Sequence, residues 1–220
     1  MAFLKTLVLV GSLCALCCLV NRVSAEEELS DEEVLKWEPP SNFSARFPYH
    51  LSGYDNDGGQ VWIVDVGKWD IRQIADADAK TQEDFRKYIH QMYTRCGYKS
   101  RGAEPDQESV IIIDLDGYNA EKATHLKGTL LTLDILRSFE RYARRDGRGY
   151  KSGILVNANF IFESFWRAGK PLLGRVGEFI DVYGTTKAKW APKLLKNIPR
   201  DQLPEHLGGA EGHKYLESYG

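Results

Sequence analysis

Val110-Ile111-Ile112-Ile113 is a run of four β-branched residues with no polar alternation. That pattern predicts a strand buried on both faces, in a sheet covered by helices. A loop comes next at Asp114-Leu115-Asp116-Gly117, then a helical pattern from about Ala120 to Arg145, then a second such strand at Ile154-Leu155-Val156. The two strands lie about 35 residues apart, enough for a crossover, so they are expected to be parallel. Upstream, Tyr49–Gly53 and Gln60–Val66 flank the turn cluster Asp55-Asn56-Asp57-Gly58-Gly59 and read as a β-hairpin. The acidic turn lacks the spaced ligands and closing Glu of an EF-hand loop and is read as a plain turn. Thr81, with Asp84 at the capping-box position, is expected to cap a helix whose apolar stripe is Phe85, Ile89, Met92 and Cys96.

Leu126, Leu130, Leu133 and Leu136 give the next helix its expected buried face, and Arg141, Arg144, Arg145 and Arg148 gather at its end. Those cations either complement the helix dipole or form an anionic headgroup site. Phe179–Gly184 reads as a further strand, and Thr185 or Thr186 caps a last helix carrying Trp190, Leu194 and Leu195. These elements place the chain in the α/β class, with a mostly parallel sheet flanked by helices. The polar residues 211–220 are expected to be loose. One segment stands out chemically: Asn157 to Trp166 carries Phe160, Phe162, Phe165 and Trp166 within seven residues. These rings either fill a deep core or line a cavity.

The ends are organised differently. Lys5, the apolar run Leu7–Val20 and Val23-Ser24-Ala25 have the n-region, h-region and cleavage-site pattern of a signal peptide over residues 1–25. A membrane anchor is the alternative, but about 14 apolar residues are short for a span. The leader takes Lys5 and Arg22 with it; 29 basic residues less these two leave 27 against 31 acidic ones, a net charge of −4. Nothing in that balance suggests a nucleic-acid partner. Cys14, Cys17 and Cys18 also leave, so Cys96 has no internal disulfide partner and is read as a buried, inert thiol. Residues 26–46 form an acidic arm broken at Pro39-Pro40, and Asn42-Phe43-Ser44 is a glycosylation sequon in what reads as a loop.

Catalytic patterns are sparse. The chain has no Gly-x-Ser-x-Gly elbow, His-Glu-x-x-His pair or phosphate loop, and its five histidines are scattered singly. Asp114 and Asp116, at a strand's carboxyl end, could serve a magnesium-dependent phosphatase of haloacid dehalogenase type. However, Tyr118 stands where that motif has Thr, and the later metal-binding pair is missing. The competing reading is a strand-to-loop turn in which aspartates accept backbone hydrogen bonds.

Five segments together resemble the CRAL-TRIO lipid-binding domain over about residues 47–210. They are Gly53-Tyr54-Asp55-Asn56-Asp57-Gly58, Ile113-Asp114-Leu115-Asp116-Gly117, Asn157–Trp166, Lys170-Pro171-Leu172-Leu173 and Leu203-Pro204-Glu205-His206-Leu207-Gly208-Gly209. The resemblance implies a sheet forming the floor of an apolar pocket, closed by a mobile gate spanning about Phe160 to Gly177. It implies pocket and gate roles for Ile111, Ile113, Phe160, Phe162, Trp166, Leu172, Leu173, Val176 and Ile180, with hinge freedom at Gly174 and Gly177. It further implies a non-enzymatic carrier that binds a lipid or small hydrophobic molecule, touches membranes transiently and needs no cofactor or metal.

With the leader, the expectation is a secreted glycoprotein modified at Asn42. The alternative is a secreted interaction module with a collapsed pocket. Two features depart from the family: its N-terminal helical lobe is reduced to residues 26–46, and Phe179 stands where phosphoinositide-transferring members carry a base. The ligand stays open among retinoid, tocopherol, sterol, fatty acid and phospholipid.

Overall fold

The computed structural model describes residues 30–97, 108–139, 144–145 and 148–219. The expected leader, with Cys14, Cys17 and Cys18, lies outside these residues, so the signal-peptide reading does too. Two short helices, α1 (Asp31–Lys36) and α2 (Ser41–Arg46), precede the hairpin of β1 (Tyr49–Tyr54) and β2 (Gln60–Val64). Then come α3 (Ile71–Ala75), α4 (Ala79–Gly97), β3 (Ser109–Asp114), α5 (Ala120–Thr124) and α6 (Leu126–Ser138). β4 (Arg144–Arg145), β5 (Arg148–Ala158), α7 (Phe160–Gly169), α8 (Arg175–Phe179), β6 (Ile180–Gly184), α9 (Lys187–Asn197) and β7 (Glu217–Tyr219) complete the order.

The strands pair in the order β4-β5-β3-β2-β1-β7, with β6 also on β5. β2, β3, β5 and β6 run parallel to their neighbours in this group; the β1–β2, β1–β7 and β4–β5 pairs are antiparallel. The expected hairpin and the expected parallel pair are both present.

Alternation along the central strands explains their unbroken apolar sequence. Trp62, Val64, Ile111 and Leu155 enter the larger core, while Val61, Ile63, Val110, Ile112 and Val156 enter a second core on the opposite face. With both faces covered, the polar residues of β2 and β3 are confined to the strand ends, at Gln60, Ser109 and Asp114. α9 closes the second core with Trp190 and Leu194, and Leu203 and Leu207 join it from the turns beyond.

On the larger core, α4 buries Phe85, Ile89, Met92 and Cys96 at the expected spacing. Cys96 is fully buried, and that burial pushes its thiol pKa up, which keeps it protonated and inert. The cap of α4 differs from expectation: Asp78, not Thr81, accepts the Thr81 N–H at 2.9 Å. A carboxylate is the better acceptor at a helix start, where it also meets the dipole.

The acidic arm is docked through α1 and α2. Gln91 on α4 donates to the carbonyls of Val34 (2.9 Å) and Trp37 (2.7 Å), and Tyr88 donates to Phe47 (2.8 Å). Phe43 and Phe47 pack edge-on at 5.8 Å and both meet Phe85, a cluster in which each ring pair contributes about 0.5–1.5 kcal/mol beyond its buried area. Asn42 is exposed but lies on α2 rather than in a loop, because Phe43 beside it is anchored in the core.

The long helix expected from Ala120 breaks at His125. Its backbone is extended, and its imidazole Nδ1 accepts the Gly128 N–H at 3.1 Å as the cap of α6, while Nε2 lies 3.0 Å from Asp76. The break turns α6 so that Gly128 and Leu131 are buried, whereas Leu126 and Leu130, expected inside, are 67% and 39% exposed. Arg144 and Arg145 belong to β4 rather than to a helix end. The side chains of the arginine cluster lie outside the described residues.

The tail is not loose. β7 pairs with β1, the Leu216 N–H donates to the Leu51 carbonyl at 2.8 Å, and Tyr219 stacks on Tyr49 at 5.2 Å beneath the Arg95 guanidinium. Deleting residues 216–220 is therefore expected to lower stability by about 2–3 kcal/mol, from one stacked ring pair and a short ladder. Urea unfolding checks this; an unchanged midpoint would show the tail to be energetically idle.

Candidate functional site: the gate and the floor beneath it

β5 ends on two asparagines that set the path of the chain into the gate. Asn157 sits at φ 58°, the left-handed region that Asn tolerates better than most residues, and its Nδ2 donates to Asp114 Oδ1 at 2.8 Å. Asn159 then caps α7, its Oδ1 accepting the Ile161 and Phe162 N–H groups at 3.1 and 3.0 Å, while its amide donates to the Tyr118 carbonyl. The pair turns the chain off the sheet and clips it to the β3 loop, which starts α7 at Phe160. Asn157→Ala is expected to cost about 2–3 kcal/mol, because it loses a bond to a carboxylate and the polar side chain that lets Asn tolerate the left-handed region. Asn157→Gly loses only the bond and is expected to fall about 1 kcal/mol short of that. Equal losses in urea unfolding would contradict the conformational part.

From Phe160 to Phe179 the chain runs as α7, a 3-10 turn at Lys170–Leu173, and α8. Phe162, Trp166, Leu173, Val176 and Ile180 are buried in the same apolar cluster as Ile111 and Leu155 of the sheet, and Ile113 and Phe165 are partly buried against it. The expected floor and gate residues are thus brought together, with three exceptions. Phe160 is 80% exposed, because the first position of α7 points away from the sheet, so it is no part of an inner wall. The Leu172 side chain lies outside the described residues. Gly177 sits within α8, where an added Cβ would stand 2.9 Å from the Lys170 carbonyl oxygen. Gly174, at φ 52° with open space around it, is the one of the expected pair in a backbone conformation that favours glycine.

Residues outside the expected set complete the layer. Tyr118 meets Phe162 edge-on at 5.3 Å, Phe162 stacks on Trp166 at 6.4 Å, and Phe139 touches Phe179, Tyr150 and Tyr93. Tyr118 and Phe139 lie after polar or helical segments in the sequence, so no local apolar pattern marks them.

Of the two carboxylates weighed for a phosphatase, Asp114 caps the turn through Oδ1, as the strand-to-loop reading has it. Asp114 is buried, with Oδ1 accepting from Asn157 and from the Asp116 N–H (2.9 Å), and Asp116 is exposed. In the hairpin turn, Asp55 Oδ1 likewise accepts the N–H groups of Asp57 (3.0 Å) and Gly59 (2.8 Å), which supports the plain-turn reading. Among the described residues no helix is long and apolar enough to cross a membrane.

Comparison with known proteins converges on one family. The family model described as "CRAL/TRIO domain" matches residues 46–209, which include strands β1 to β6, the expected gate segment and the turn at Glu205–Leu207. The chain is 28% identical over 189 residues to the SEC14 cytosolic factor of Kluyveromyces lactis, covering 79% of this chain and 59% of that protein. It is 27% identical over 187 residues to the SEC14 cytosolic factor of Eremothecium gossypii, covering 79% and 58%. It is 24% identical over 190 residues to the phosphatidylinositol/phosphatidylcholine transfer protein SFH12 of Arabidopsis thaliana, covering 81% and 31%. The matched region thus spans less than two thirds of each of these relatives.

Proposed function

This chain belongs to the CRAL/TRIO domain family, and from that membership we propose that it binds one lipid or similarly apolar molecule between the sheet and the gate and carries or presents it. The observation that carries the reading is the shared layer of Ile111, Leu155, Phe162, Trp166, Leu173, Val176 and Ile180, in which gate and sheet bury the same apolar surface. A gate that swings at Gly174 exchanges contact with these side chains for contact with an acyl or isoprenoid chain. Burial of about 15 methylenes would contribute on the order of 12 kcal/mol before ordering costs. No chemical step is required of the protein.

Exposed Phe160, Leu126 and Leu130 are the proposed membrane-contacting residues, which open the gate where the lipid is found. The names of the SEC14 and SFH12 relatives support a phospholipid as cargo. Phe179, facing Phe139 at 5.9 Å, gives an apolar rather than a basic contact at the gate's end and favours phosphatidylcholine over phosphatidylinositol. The leader pattern and the exposed Asn42 support a secretory route with a glycan at Asn42, although the fungal relatives are named cytosolic.

The test is transfer of fluorescent phosphatidylcholine from donor to acceptor vesicles, with phosphatidylinositol in parallel. Protein-dependent transfer, faster for phosphatidylcholine, is expected. Absence of transfer for both lipids would overturn the phospholipid reading.

A further inference from the structure

Beyond lipid carriage, the carboxyl ends of the central strands hold a second polar cluster, on the far side of Asp114 from its bond to Asn157. Asp65 comes directly after β2, Asp114 ends β3, and His206 sits in the short turn Glu205–Leu207 near the C-terminus. One ligand atom from each of the three lies within 4.8 Å of the other two, and Asp114 Oδ2 stands 3.9 Å from His206 Nε2. Asp114 is 4% and Asp65 9% exposed, whereas the His206 side chain is 46% exposed.

Asp65 supplies an independent observation. Its Oδ1 is buried with no hydrogen-bond partner, a state that costs about 1–3 kcal/mol or more for a charged group. Its Oδ2 accepts from Lys68 at 2.7 Å. Lys68 is the one cation seen on these carboxylates among the described residues, and its side chain is 63% exposed.

We propose that Asp65, Asp114 and His206 form a binding site for a divalent transition-metal cation of the zinc class, which clamps the C-terminal turn to the ends of β2 and β3. Ligand atoms about 2.0–2.2 Å from zinc stand about 3.4 Å apart, so the trio closes by little more than about 1 Å on binding, and the 3.9 Å between Asp114 Oδ2 and His206 Nε2 by about half of that. An imidazole beside two carboxylates selects zinc over magnesium or calcium, which take oxygen ligands. Three protein ligands leave a fourth position for water on the His206 side. Asp114, already oriented by Asn157 and the Asp116 N–H, is held as metal-bound carboxylates usually are.

The test uses the full chain with Cys14→Ser, Cys17→Ser and Cys18→Ser, so that no leader thiol competes, stripped with chelator and titrated with zinc chloride by calorimetry. One equivalent is expected to bind and to raise the melting temperature, and magnesium chloride is expected to do neither. His206→Ala and Asp65→Asn should each weaken zinc binding by about tenfold or more, the loss that even outer-shell partners can give. His125→Ala, which removes the imidazole of the His125–Asp76 pair elsewhere, should change nothing. No zinc binding, or undiminished binding in both His206→Ala and Asp65→Asn, overturns the proposal. The readout involves no lipid, so it is independent of the carrier reading.

Discussion

Replacing Trp166 and Leu173 together by aspartate abolishes lipid uptake while the chain still unfolds cooperatively. Both side chains are buried where the gate meets the sheet, at 7% and 3% exposure. A charge left there without a partner costs about 3–5 kcal/mol, or about two to three and a half decades in the affinity of any state that needs the gate closed. Folding is expected to survive because the opposite core, built on Val61, Ile63, Val110, Ile112 and Trp190, is separate from the cluster that holds the gate segment. Uptake from vesicles is read beside near-ultraviolet circular dichroism. Undiminished uptake in a folded double variant would place the lipid elsewhere.

Gly209→Ala unfolds the protein more readily than any other single glycine change tested beside it. An added Cβ at Gly209 would stand 1.7 Å from the Leu203 carbonyl oxygen and 2.2 Å from its carbon. Neither atom can give way, because the same carbonyl accepts the Ala210 N–H at 3.0 Å and Leu203 itself is fully buried. Overpacking against backbone is expected to cost about 3 kcal/mol or more. Gly212 provides the contrast: its φ is 71° but nothing lies within 4 Å, so Gly212→Ala carries only the conformational cost of about 1–2 kcal/mol. Equal shifts of the urea midpoint for the two variants would contradict the close-approach account.

Legibility in the sequence tracked how local the physical cause was. The run Val110–Ile113 and the stripe Phe85-Ile89-Met92-Cys96 declare their burial in a few residues, and both are where the pattern put them. The break at His125 was hidden because an imidazole acting as a helix cap leaves no trace in hydrophobic periodicity, and the phase of α6 is set by it. The docked tail was hidden for another reason: Tyr219 is stabilised by Tyr49 and Arg95, partners more than a hundred residues away, and its polar neighbours read as a loose end.

The site divides in the same way. The aromatic excess from Phe160 to Trp166 pointed to the proposed gate segment, and two of its four rings, Phe162 and Trp166, are buried in the core, whereas Phe160 is exposed at the start of the helix that Asn159 caps. Phe139 and Tyr118 required the fold to bring them to the layer. The grouping of Asp65, Asp114 and His206 is invisible in sequence, because two strand ends and a distant turn meet only in three dimensions.

The carrier reading is tested most directly by native mass spectrometry of the protein made in a secretory host, with organic extraction and identification of the released molecule. A stoichiometric apolar adduct, lost in the Trp166→Asp, Leu173→Asp double variant, is the predicted result. A bare mass that stays unchanged after incubation with mixed liposomes would contradict it, and would leave the buried layer beneath the gate as the core of an interaction module.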